Sequence, residues 1–175
     1  MTEVLVERHA PQPLTAADIA QMIEDAAGCG GIHRVDRHLS LLSTDGRELL
    51  CHFSSPDLES VRLALKAQRP MPAEVWACSL RDAPDLTADE LAQTNVLTSW
   101  RFEAPVAFEE LESIDASRAV CLRTHRVRFL RTFVASDRRR VICLCQAADA
   151  ESVRLALRES KQPVERVWAF RQFLP

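Results

Sequence analysis

The stretch "LLCHFSSPDLESVRLALKAQ", starting at Leu49, returns as "VICLCQAADAESVRLALRES", starting at Val141. Laid on itself with a shift of 92 residues, the chain needs no gap. His33-Arg34-Val35 falls on His125-Arg126-Val127, Cys51 on Cys143, and Glu59 to Leu65 on Glu151 to Leu157 without a mismatch. From His33 to Cys78 there are 17 identities in 46 positions, which marks a duplicated unit. The expected division is a first repeat over 1–80, a linker over 81–93 and a second repeat over 94–175. The linker contains Pro84 and a Thr87-x-x-Glu90 capping box that starts a short helix.

Each repeat reads in the same order. "EVLVER" is a β-branched strand, and "LTAADIAQMIEDA" has a Thr15 cap followed by apolar residues at helical spacing. Asp45-Gly46 joins "HRVDRHLSLL" to "RELLCHF" as a hairpin. "SPDLESVRLALKAQ" is an amphipathic helix and "AEVWACS" a closing strand, with Trp76 expected in the core. The order βαββαβ is the ferredoxin-like unit, so the predicted fold is α+β with two antiparallel sheets. Leu49, Cys51 and Phe53 fall on one sheet face; Leu39, Leu41, Leu50 and His52 fall on the other. The second repeat sets Val141, Cys143 and Cys145 against Phe129, Phe133, Ile142 and Leu144. An apolar open face needs a cover, so the expectation is an intramolecular pair resembling a dimeric α+β barrel. Residues 1–92 carry a net charge of −7 and residues 93–175 one of +4, a complementarity that suits such pairing.

Six cysteines do not imply a disulfide framework here. Cys51, Cys143 and Cys145 sit in apolar strand-like runs, where a thiol packs as a small hydrophobe, and there is no C-x-x-C pair. "MTEVLVERHAPQP" shows no basic stretch followed by an apolar core, and no window resembles a membrane helix. The expected location is therefore cytoplasmic, with no membrane partner.

"VLVERHAP" and "CHFSSPDLESVRLALKAQRPMPAEV" resemble a small bacterial nickel-responsive family with a ferredoxin-like domain of unknown function. Cys51, Pro56, Asp57, Glu59, Val61, Arg62 and Pro72 carry the likeness in the first repeat. Cys143, Asp149, Glu151, Val153 and Arg154 carry it in the second. The resemblance implies a metal-binding histidine in the second strand and another in the second helix. Aligned on these motifs, those positions hold Leu39 and Arg131 in the strands and Ala64 and Ala156 in the helices. Nickel binding at the family's own positions is thus not expected.

Among the histidines, His52 falls on the open face, where a polar group needs a partner. Arg37, Arg131 and Glu7 are the candidate companions in a ligand pocket between the sheets. His52 with Glu7 is the candidate metal pair, giving at most a weak two-ligand site. His38 and His9 have no neighbour at chelating spacing. Arg138-Arg139-Arg140 is a charged hairpin tip, and the strands lack the stacking aromatics of an RNA-binding sheet, so no nucleic-acid partner is expected. The favoured function is a non-enzymatic module that binds a small ligand or a divalent metal. The alternative is a cofactor-independent monooxygenase or isomerase of the dimeric α+β barrel type. No cofactor is named by any motif, and a homo-oligomer is left open.

Overall fold

The computed structural model describes residues 1–66 and 71–174, without the side chains of 27–30. The readings that concern Cys29 and the helix beyond Lys66 fall outside the described residues.

The chain forms β1 (Thr2–His9), α1 (Ala16–His33), β2 (Asp36–Ser43), β3 (Glu48–Ser55), α2 (Leu58–Lys66) and β4 (Ala73–Asp82). After α3 (Ala88–Ala92), the same order returns as β5 (Val96–Arg101), α4 (Phe108–Thr124), β6 (Arg128–Ala135), β7 (Arg140–Gln146), α5 (Ala150–Glu159) and β8 (Arg166–Phe173). Two compact units result. The first comprises Met1–Cys78 with Arg171–Pro175, and the second Ser79–Phe170. β4 is therefore divided between the units after Cys78, and β8 after Phe170.

In the first unit β1 pairs antiparallel with both β3 and β4, and β3 with β2. In the second, β5 pairs with β7 and β8, and β7 with β6. Helices cover one face of each sheet. Val4, Val6, Leu42, Leu49, Cys51 and Phe53 pack with Ile19 and Met22 of α1 and Val61 of α2. In the second unit Val96, Val141, Cys143 and Cys145 pack with Leu111 of α4 and Val153, Ala156 and Leu157 of α5. Leu5, Leu39, Leu41 and Leu50, on the opposite face, are at most 1% exposed.

The helix starts follow the sequence. Thr15 accepts from the Asp18 N–H while the Asp18 carboxylate accepts from Thr15. Asp57 and Asp149 accept from the N–H groups of Ser60 and Ser152, each at 2.7 Å. These bonds hold both carboxyls below the usual range. At α3 the Thr87–Glu90 capping box is formed in both directions.

Both hairpins turn through a left-handed residue. In the first, the Gly46 N–H bonds the Ser43 carbonyl at 2.8 Å with Gly46 at φ +74°. Of Asp45 and Gly46 only Gly46 has positive φ, so the turn is not type I′, which needs two such residues. The register is nonetheless the one expected, Leu42 opposite Leu49 and Leu41 opposite Leu50. The second hairpin repeats the geometry with Arg138, at φ +57°, in the glycine's place.

A β-bulge occurs at the same place in β2 and β6, between Arg37 and Leu39 and between Phe129 and Arg131. Two residues there oppose one on the partner strand, so the alternation of faces slips by one. This corrects the reading of Phe129, which joins the helix-side core instead of the opposite face. Arg37, its equivalent, turns to the helix side as well.

Candidate metal centre

Strand β1 places Val4 and Val6 against the helices, so Glu3, Leu5 and Glu7 present themselves on the other face. Leu5 stands directly opposite His52 of β3, which makes Glu3 and Glu7 the two diagonal neighbours of the imidazole. Sheet twist renders the two diagonals unequal. His52 Nε2 lies 2.6 Å from Glu3 Oε2. Glu7 instead accepts a hydrogen bond from Trp76 Nε1 at 2.9 Å.

His38 is the residue inserted at the β2 bulge. Because Leu39 already opposes His52 in the ladder, the bulge turns His38 to the same face as its successor. Its ring centroid is 4.8 Å from that of His52. One ligand atom each from Glu3, His38 and His52 fall within 4.8 Å of one another. Exposure is graded across the three. His52 is buried, Glu3 is half-buried and His38 is exposed, leaving the group open to solvent on one side.

Cys78 of β4 stands opposite Glu3 in the register. Its thiol is pushed up to about 12, first by burial and second by the Glu3 carboxylate. At neutral pH it is an uncharged neighbour of the cluster.

Of the residues singled out by sequence, His52 alone lies in this cluster. Arg37 donates to the carbonyls of Phe173 and Leu174 at 2.9 and 3.0 Å. Arg131 makes two 2.7 Å bonds to the Asp82 carboxylate, within the second unit. Leu39, Ala64 and Ala156 are buried apolar residues. Sequence reasoning missed Glu3 and His38. The alternation of β1 places Glu3 as well as Glu7 beside His52, but His38 depends on a bulge that no glycine or proline announces.

The positions 92 residues on from Glu3, His38 and His52 hold Asn95, Leu130 and Leu144. Asn95 bonds the backbone of Ala147 in both directions, at 2.8 and 3.0 Å. The second unit thus has structural groups where the first has donors. Among the described residues, Glu3, His38 and His52 form the one grouping of three or more metal-type ligands. No described helix is long and apolar enough to cross a membrane.

Residues 97–169 match the family model of the nickel responsive protein SCO4226-like group. The matched stretch lies in the second unit, while the cluster lies in the first. No curated protein matches the chain. Among solved structures, a chlorite dismutase candidate, TA0507, is similar with a TM-score of 0.53 at 12% identity, covering 98% of this chain and 94% of that one. An anthrone oxidase-like protein aligns at TM-score 0.48 and 8% identity over 99% and 93% of the two chains. A monooxygenase candidate from Lactobacillus acidophilus NCFM gives 0.46 and 8% over 98% and 94%. The chain is thus an α+β protein that shares its fold with TA0507 and, over its second unit, resembles the nickel-responsive group in sequence.

Proposed function

We propose that the chain binds a first-row divalent metal ion, nickel foremost, through Glu3, His38 and His52. In this reading it is a binding module whose scaffold arose by duplication of one βαββαβ unit. The observation that carries it is the convergence of three donor atoms within 4.8 Å of one another. Two imidazoles and a carboxylate are donors that suit nickel and its neighbours in the series. Side-chain rotation over such short separations is enough for all three to meet one ion. Each ligating imidazole nitrogen must be free of its proton and the carboxylate ionised, so binding weakens in acid. The likeness of residues 97–169 to the nickel-responsive group supports the choice of metal. The enzymatic alternative has only the shared fold in its favour, and a fold does not name a reaction.

The test is calorimetry of tag-free protein with Ni²⁺. We expect one ion per chain with a Kd of about 1 μM, near −8 kcal/mol. His38→Ala and Glu3→Gln should each weaken binding about tenfold or more. Stoichiometric binding that both variants leave unchanged would overturn the reading, as would no binding by the parent protein.

A further inference from the structure

Each unit contains a cavity between its sheet and its first long helix, of about 450 Å³ in the second unit and about 390 Å³ in the first. Equivalent positions line both: Leu111 and Ile19, Thr132 and Ser40, Cys143 and Cys51. The two differ at one telling place. Where the first cavity has Ala26, the second has Arg118.

Arg118 is 5% exposed. Its guanidinium carbon lies 4.2 Å from the Phe129 ring centroid and 5.0 Å from that of Trp100. One terminal nitrogen donates to Asp115, whose side chain is 55% exposed. The Nε has no hydrogen-bond partner. A buried guanidinium costs a great deal unless its donors are used, and aromatic faces offset only part of that cost. The Phe129 position is set by the β6 bulge, which turns that ring to the helix side and under the cation. Asp115 takes one terminal nitrogen and the Cys143 sulfur takes a further contact from the guanidinium, while the Nε has no partner, on a residue that lines a cavity.

We propose that this cavity is a second ligand site, for small amphiphilic monocarboxylates, independent of the metal centre. The carboxylate accepts from the Arg118 Nε–H and an adjacent N–H, the planar pairing that arginine favours. The apolar body lies along Leu111, Ile114, Leu122 and Val127, which line the same cavity. A phosphate dianion suits the site poorly, because Asp115 shares the guanidinium and the remaining walls are largely apolar. The volume falls within the range of about 300–1,000 Å³ typical of small-molecule pockets. Exposed Asp82, Arg123 and Pro163 in the lining provide contact with solvent.

Octanoate is the probe and 1-octanol its uncharged comparator, followed by calorimetry and by the ¹⁵N–¹H resonance of Arg118 Nε. We expect one octanoate per chain, a saturable shift of that resonance, and octanol binding weaker by about tenfold or more. Arg118→Met keeps length and apolar bulk; it should weaken octanoate about tenfold or more and leave octanol unchanged within about twofold. Should Arg118→Met fail to fold, the Arg118 resonance in the parent protein decides the matter alone. No saturable shift below about 5 mM octanoate overturns the proposal. Equal affinity for acid and alcohol, or octanoate binding indifferent to Arg118→Met in folded protein, also overturns it. None of these outcomes touches the nickel titration.

Discussion

His52 and Glu3 stand on neighbouring antiparallel strands with Nε2 and Oε2 2.6 Å apart, the imidazole 3% exposed and the carboxylate 30%. The pair has opposite consequences for stability depending on which partner is removed. Glu3→Ala deprives a buried imidazole of a charged acceptor and should cost about 1–2 kcal/mol. His52→Leu copies Leu144 of the second unit and removes the buried polar group itself, so it should cost less than Glu3→Ala or be stabilising. Urea denaturation in metal-free buffer distinguishes the two, and a larger loss for His52→Leu would contradict this account.

The two hairpin turns predict substitutions of opposite sign. A Cβ on Gly46 would lie 2.6 Å from the Leu14 carbonyl oxygen, with φ at +74°. Gly46→Ala should therefore destabilise by about 2 kcal/mol or more. Arg138 holds the same conformation with a full side chain. Arg138→Gly should gain about 0.5–1 kcal/mol, the relief of left-handed strain less the added backbone entropy of glycine. Thermal unfolding of the two variants beside the parent measures both.

Alkali should destabilise the fold through its buried thiols. Burial raises the Cys143 thiol above its ordinary 9.0, partly offset by the Arg118 charge, and raises Cys145 well above it, with Cys143 adding to the effect. Below pH 9 these groups keep their protons whether the chain is folded or not. Above it the unfolded chain loses protons that the folded one retains, so stability falls as pH rises. The thermal midpoint should drop between about pH 8 and 10 and drop less in a Cys143→Ala, Cys145→Ala double variant. An equal drop in both proteins would refute the assignment.

Ser99 of β5 is 2% exposed and its hydroxyl has no hydrogen-bond partner. Ser99→Ala removes an unsatisfied buried group at little cost in volume. It should raise stability by about 1 kcal/mol, read from the urea midpoint. A loss would mean that the hydroxyl is satisfied by a bound water.

Much of the scaffold is legible in the sequence because it rests on short-range rules. The repeated Asp-x-Glu-Ser-Val-Arg-Leu-Ala-Leu gives both later helices, and period-two patterning separates Leu49, Cys51 and Phe53 from Leu50 and His52. Thr87 and Glu90 place the linker helix through their mutual bonds. The site is less legible. His52 is visible as a polar residue on an apolar face, but its partner among two equivalent glutamates is chosen by sheet twist, a property of the assembled strands. His38, Arg37 and Phe129 depend on a bulge whose residues, Arg37-His38-Leu39 and Phe129-Leu130-Arg131, carry no local mark of it. Arg118 carries no mark of its burial in the sequence, since that burial follows from where Phe129 and Trp100 come to lie.

The bulge acts on its strand as a phase shifter. Residues beyond it keep one parity of inside and outside, and residues before it keep the reverse. A one-residue deletion at position 38 or 130 would restore a single phase. Arg37 or Phe129 would then stay in the helix layer, with Ser40, Leu41 and Leu42, or Thr132, Phe133 and Val134, as they are, and only the extra residue on the opposite face would be lost. β2 and β6 each carry such a slot, and each can be rewritten independently at the level of single codons. One is filled with an imidazole on the open face, and the other with Leu130, next to the aromatic ring that lies beneath a buried cation.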